Sequence, residues 1–277
     1  MLRWTVALMM VMAAAPASAQ LYRPNDHPEK ASTRWNYAPP VEIDVRTRDG
    51  LALKGLYWGG RTDLPVLVFF QGRSGDRVDA AHYAEPLAAA GYAVVIASYR
   101  GYGGNPGKPD EKGLNLDGAA FAEYAQGLRS GTKVYAIGHS LGAAVALTLA
   151  ADGAVDGVIT LGAFPDLRSV APKIVRAFLK DRFANSDTIA RLQQPAILIQ
   201  GRYDDVVSMA QGQALLGAAP MGSVLLVLDK QDHRPAMSEI VAILPAMLAF
   251  AGGRIEPLNA EARARGFAIF QKTPLAR

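Results

Sequence analysis

Gly138-His139-Ser140-Leu141-Gly142 leaves an apolar run at 133–138 and enters an alanine-rich run at 141–152 that contains no helix breaker. A serine on a sharp strand-to-helix turn projects its hydroxyl. Glycines two residues to either side relieve the crowding where strand and helix converge. Amide N–H groups at the start of the following helix can then stabilise an oxyanion. The chemistry that fits is nucleophilic acyl transfer, which also needs a base, a carboxylate to orient the base and a second oxyanion donor.

The chain has four histidines. His27 falls in the N-terminal tail, and His82 in a helical segment, as a surface or half-buried residue. His139 lies inside the turn, pointing away from its neighbour's hydroxyl, and reads as a packing residue. His233 follows an apolar run at 224–229. It therefore sits in a loop at the C-terminal end of a strand, the edge where active sites of such sheets gather, and is the candidate base. The carboxylate comes from 200–208, where Asp204 and Asp205 are adjacent candidates. Asp229 and Asp232 are poorer ones, too close to His233 in sequence. The second donor belongs to the loop after the third strand, at 69–76. There the Arg73 amide N–H pairs naturally with that of Leu141. This mechanism needs no metal or organic cofactor.

These residues require a scaffold that brings strand ends together. Val41 to Val45 and Leu51 to Trp58 alternate about an Asp49-Gly50 turn, which is a hairpin. Continuous apolar runs follow at 65–70, 93–98, 133–138, 157–162, 195–201 and 224–229. Short runs without alternation suit strands buried on both faces of a parallel sheet. Helix-length segments lie between them at 78–90, 114–129, 141–152, 208–217 and 235–251. The fold class is therefore α/β, a mostly parallel sheet with an antiparallel N-terminal hairpin and helices on both faces. Residues 165–194, with a helical pattern over 169–183, are either a small cap over the site or a longer crossover helix.

The ends carry their own signals. Met1-Leu2-Arg3, an apolar run from Trp4 to Ala15 and Ala17-Ser18-Ala19 form a signal peptide at 1–19, cleaved before Gln20. The apolar run is too short for a comfortable membrane span, so export to the periplasm or beyond, with no stable membrane anchor, is expected. A proline-bearing tail covers 20–40, the main domain 41–251, and a polar, basic tail 252–277, either a last surface helix or a loose end. The chain lacks cysteine, which excludes a thiol nucleophile and cysteine-based metal sites. Net charge is +4 with a pI near 9.3 and no basic run of five, so nucleic acid is not an expected partner. A small-molecule or acyl substrate is.

Taken together, the residues resemble the α/β-hydrolase superfamily over about 41–251. In that family the order is serine, acid, histidine, and the acid loop often reads G-x-x-D-x-x-V. Gly201, Asp204 and Val207 take those places, which selects Asp204 and leaves Asp205 as a candidate helix cap. The family often has His-Gly before the oxyanion donor, where this chain has Gln71-Gly72; a backbone donor does not need the histidine. Residues 98–124 are similar to a Y-R-G-Y-G-x-S-x-G-x-P stretch of the serine aminopeptidase-like and monoacylglycerol-lipase-like branch, closest to its depalmitoylase pattern. Tyr99, Arg100, Gly101, Tyr102, Gly103, Gly107 and Pro109 hold that pattern, and Asn105 replaces its serine. The resemblance implies that this segment shapes a wall near the site. It also implies hydrolysis of an ester, thioester or amide, with Ser140, His233 and Asp204 as the triad. A peptidase ranks lower because no acidic cluster stands ready for a substrate amino terminus. A thioesterase acting on acyl-proteins is disfavoured by export. A non-catalytic binding protein of this fold would ordinarily have lost a triad member.

Overall fold

The computed structural model describes residues 21–24, 34–171, 176 and 179–273. The expected signal peptide at 1–19 and His27 lie outside these residues.

A hairpin of β2 (Val41–Arg46) and β3 (Ala52–Trp58) opens the main sheet. Its side chains alternate between buried and exposed, as period-two patterning requires of a half-covered edge. Then follow β4 (Val66–Phe70), β6 (Ala93–Ile96), β7 (Val134–His139), β8 (Gly157–Leu161), β9 (Ile197–Gly201) and β10 (Val224–Leu228). Almost every residue in these six strands is buried. They run parallel in the order β10-β9-β8-β7-β4-β6, and the hairpin joins antiparallel at β6. Alternate residues of β4 feed two separate cores. Val66, Val68 and Phe70 pack on one face; Leu67 and Phe69 pack on the other.

Five longer helices cover the faces: α1 (Arg77–Ala89), α2 (Glu111–Leu128), α3 (Leu141–Ala151), α6 (Met209–Ala218) and α7 (Met237–Ala251). Their starts follow local side-chain chemistry. Asp76 and Asp79 make a capping box on α1, Ser208 and Gln211 make one on α6, and Asp110 accepts the Gly113 N–H at 2.6 Å. Two short helices, α4 (Leu167–Val170) and α5 (Asn185–Ile189), lie between β8 and β9.

The described parts of both expected tails pack onto the fold. At the C-terminus, α8 (Glu256–Ala264) buries Leu258 and Ala262, and β11 (Ala268–Gln271) pairs antiparallel with β10. This ninth strand covers an edge of apolar β10 that would otherwise stand open. At the N-terminus, β1 (Arg23–Pro24) pairs parallel with β5 (Ser74–Gly75), with Leu21 and Tyr22 buried behind it. The Trp58 indole donates to the Ala38 carbonyl at 2.7 Å, and Glu85 accepts the Tyr37 N–H at 2.7 Å.

The segment 165–194 does not form a single crossover helix through 169–183, because 179–184 are not helical. Residues 172–175 and 177–178 of it lie outside the described ones. Its C-terminal part is clamped to the start of α2. The Glu111 carboxylate accepts the N–H groups of Arg182 and Phe183 at 2.7 and 3.0 Å, and Asp181 accepts the Tyr22 hydroxyl at 2.6 Å.

Candidate active site

Ser140 occupies the N-cap position of α3 with φ 52° and ψ −112°. A serine there ordinarily caps its helix from an extended backbone. This one makes no capping hydrogen bond, because positive φ turns its side chain away from the helix start. Such a backbone costs about 1–3 kcal/mol in a non-glycine residue and needs surrounding structure to hold it. The flanking glycines supply that. A Cβ on Gly138 would lie 2.3 Å from the Gly142 carbonyl oxygen, and one on Gly142 would lie 2.2 Å from that of Phe70. Strand and helix can meet at this angle only without those two side chains.

The freed hydroxyl faces the histidine that the sequence proposes. Ser140 Oγ is 2.9 Å from His233 Nε2, and His233 Nδ1 lies 3.0 and 3.1 Å from the two carboxylate oxygens of Asp204. The Asp204 side chain is only 1% exposed. Its Oδ1 also accepts the N–H groups of Val206 and Val207 at 2.9 and 2.7 Å, which fixes the carboxylate plane. An ionised carboxylate at Nδ1 holds the proton there and leaves Nε2 as an acceptor for the serine. Asp205, by contrast, is exposed and lines the neighbouring cavity. It does not cap α6; Ser208 has that place, three residues on and in the geometry a cap requires.

His139 has a partner of its own. Its Nε2–H donates to the His233 carbonyl at 3.0 Å, with the two rings 5.1 Å apart. Burial, helped by the nearby His233, pushes its pKa down to about 4. A neutral His139 therefore holds the His233 loop. His82 stacks on Trp35 at 4.0 Å and is half-buried.

Two further glycines seat the base loop: Gly162, which belongs to no motif, and Gly201, the first residue of the acid-loop pattern. Gly162 has φ +61°, and a Cβ there would lie 2.9 Å from the His233 ring. A Cβ on Gly201 would lie 2.1 Å from the Asp232 carbonyl. These two positions let the base loop settle on the ends of β8 and β9.

Leu141 follows the serine directly, and Gly72, just before Arg73, passes close to it. Leu141 opens α3, so its N–H belongs to the first turn, which has no intrahelical acceptors. The Gln71-Gly72-Arg73 turn passes over the elbow: a Cβ on Gly72 would lie 3.5 Å from Ser140 Cβ. Residues of the tyrosine-glycine stretch hold this turn from below. The Tyr99 hydroxyl donates to the Gln71 carbonyl at 3.0 Å, and that of Tyr102 to the Arg73 carbonyl at 2.8 Å. The Arg73 carbonyl also accepts the Arg23 N–H at 2.8 Å. Arg100 in the same stretch is anchored by Asp117 and Asp49, at 2.7 and 2.8 Å. Gln71 itself is 4% exposed, and neither atom of its side-chain amide has a hydrogen-bond partner among the described residues.

A cavity of about 1130 Å³ opens over Ser140 and His233. Phe164, Leu167, Val170 and Leu179 give it an apolar wall from the 165–194 segment and its approach. Among the described residues, no cluster of three or more His, Cys, Asp or Glu could hold a metal ion. No helix among them is long and apolar enough to cross a membrane.

Comparison with known proteins agrees with this architecture. Residues 65–190 match the model of the alpha/beta hydrolase fold. The chain is 34% identical over 203 residues to the uncharacterized protein Rv2307c of Mycobacterium tuberculosis, covering 69% of this chain and 72% of that one. The chain belongs to the α/β-hydrolase fold family. A second relative in sequence is the lysophosphatidylserine lipase ABHD12 of Xenopus tropicalis, 26% identical over 59% of this chain and 49% of the lipase. Among solved structures, an esterase of Pyrococcus furiosus superposes with a TM-score of 0.59 at 18% identity, over 88% of this chain and 98% of the esterase. That likeness is one of fold. In this α/β-hydrolase, the antiparallel strand β11 extends the sheet beyond the parallel run.

Proposed function

We propose that the protein is a serine hydrolase that cleaves carboxylic esters through an acyl-enzyme. The observation that carries this reading is the unbroken line from Ser140 Oγ through His233 to Asp204, at 2.9 and 3.0 Å. Ser140 attacks the ester carbonyl while His233 Nε2 takes its proton. Asp204 stabilises the imidazolium, and the Arg73 and Leu141 N–H groups receive the oxyanion. His233 returns the proton to the departing alcohol. It then activates water, which releases the acid from Ser140. The lipase among the sequence relatives favours ester over amide. The same reading places the enzyme outside the cytoplasm, on the leader at 1–19 alone.

A fluorophosphonate probe tests it together with short p-nitrophenyl esters and aminoacyl amides. Wild-type protein is expected to label at Ser140 and turn over the esters. Ser140→Ala is expected to keep its fold and lose both labelling and turnover, the latter by about 10⁴-fold or more. Folded wild-type protein that never labels and turns over no ester overturns the reading. Turnover of the amides alone redirects it to a peptidase.

A further inference from the structure

Residues 21–24 lie outside the stretch that matches the family model, yet Leu21 is buried and lines the active-site cavity. The next residue, Tyr22, is 3% exposed and donates its hydroxyl to Asp181 Oδ2 at 2.6 Å. The other oxygen of that carboxylate accepts the Glu111 N–H at 3.1 Å, so Asp181 is held at the start of α2 as well. Leu179, two residues before Asp181, belongs to the apolar wall of the cavity. On the other side of Tyr22, the Arg23 N–H donates to the Arg73 carbonyl at 2.8 Å, and Arg23 and Pro24 pair with Ser74 and Gly75. Four residues thus strap two parts of the site together. One is the turn that carries the expected oxyanion donor of Arg73, and the other is the segment that supplies the apolar wall. Two paired residues cannot hold an extended strand by themselves. Tyr22 provides the anchor, because a buried hydroxyl bound to a carboxylate is costly to unpair. A strap that only covered apolar surface would need Leu21 and the Tyr22 ring but no register. The observed register instead brings a main-chain donor to the one residue of the turn whose own N–H is expected to meet the oxyanion.

We propose that Tyr22 and Arg23 are positioning residues for the reaction: the Tyr22 bond to Asp181 and the Arg23 main-chain bond to Arg73 set the oxyanion turn and the apolar wall as one unit. This rests on the hydrolase reading. Arg23 acts through its N–H, and Tyr22 through its hydroxyl; neither touches the reacting atoms. Losing either bond frees the Arg73 turn, and a donor out of place stabilises the transition state less while binding the ground state nearly as well. Losing the Tyr22 bond also loosens the wall that meets the substrate's chain.

Three variants of the full chain test this. Tyr22→Phe keeps the ring and removes only the hydroxyl. For p-nitrophenyl acetate, whose acyl group carries no chain for the wall, it is expected to lower kcat about three- to tenfold with KM little changed. For p-nitrophenyl octanoate KM should also rise, by about threefold. Arg23→Pro deletes the N–H and should lower kcat about tenfold for both esters, whereas Arg23→Ala keeps the N–H and should retain most of the activity. Amide hydrogen exchange reads the coupling without turnover. In Tyr22→Phe, exchange over 69–76 and 179–184 should rise together, about tenfold, while β7 is unchanged. If kcat stays within about twofold of wild type in Tyr22→Phe and in Arg23→Pro, the proposal is overturned; Tyr22→Phe decides alone if Arg23→Pro does not fold. Exchange that rises over 179–184 but not over 69–76 overturns it too, as do equal losses in Arg23→Pro and Arg23→Ala, which would assign the effect to the guanidinium. Coupled exchange in a protein that neither labels with fluorophosphonate nor turns over an ester upholds the strap and overturns the hydrolase reading instead.

Discussion

Ser140 and Asp204 are each held by several independent contacts, and His139 explains why the base between them stays in place. The Asp204 carboxylate binds both His233 and the N–H groups of Val206 and Val207. Asp204→Asn should therefore keep the loop but disturb the imidazole tautomer, lowering kcat by on the order of 10³–10⁴-fold. Asp205→Asn, whose side chain makes none of these contacts, should leave kcat within about twofold, as the exposed side chain does not hold the imidazole. Steady-state kinetics of the two variants separates the adjacent acids. His139 has a consequence for stability. Its folded pKa is about 4, against the ordinary 6.5. Between those values the unfolded chain holds the additional proton, so stability present above pH 6.5 is lost as pH falls towards 4. The loss is about 3 kcal/mol, at roughly 1.4 kcal/mol per pKa unit. Melting temperature followed from pH 7 to pH 4 should fall less steeply in His139→Gln, which has no titrating ring.

At the scale of elements, the site is a meeting of strand ends, with the loops tied to one another. β7 and α3 make the elbow, β9 presents the acid, β10 leads to the base, and β4 ends in the oxyanion turn. That turn depends on the stretch after β6, through Tyr99 and Tyr102, and on the Arg100 network beneath it. Tyr102→Phe removes one of two donors to the Arg73 carbonyl, while the Arg23 N–H remains. The protein should fold, and kcat for a neutral ester should drop about three- to tenfold with KM little changed, because the donor beside that carbonyl acts on the transition state. Equal loss in kcat and KM would instead mean that the tyrosine only shapes the substrate wall.

Among the described residues the molecule is an α/β sandwich with short strands added at two edges. The C-terminal helix and strand seal β10, and the N-terminal strand seals the site loop. Ending the chain after Ala251 would expose the β10 edge and the surface that Leu258 and Ala262 cover. An open apolar edge invites association, so the truncated protein should melt at a lower temperature and scatter light as it does. Equal melting temperatures for the two lengths would show that the C-terminal elements merely rest on the sheet.

The sequence by itself determined the main strands, the longer helices and their mostly parallel pairing, and it nominated Ser140, Asp204 and His233. Unbroken apolar runs, turn residues and glycine spacing are local signals, and Gly201, Asp204 and Val207 fit a local pattern. The tertiary structure decided what depends on partners far along the chain. β1 and β11 are short, and β11 is half-exposed, so neither has a hydrophobic period to announce it; each exists because an edge elsewhere needs pairing. Gly162 matters only because His233 comes to rest against it, and Tyr99 and Tyr102 act through carbonyls nearly thirty residues away. Likewise, Arg23 reads as part of a tail until pairing with Ser74 sets it on the cavity wall. Hydrogen bonds and close approach between distant segments leave no periodic trace in sequence, which is why these features emerge only once the chain is folded.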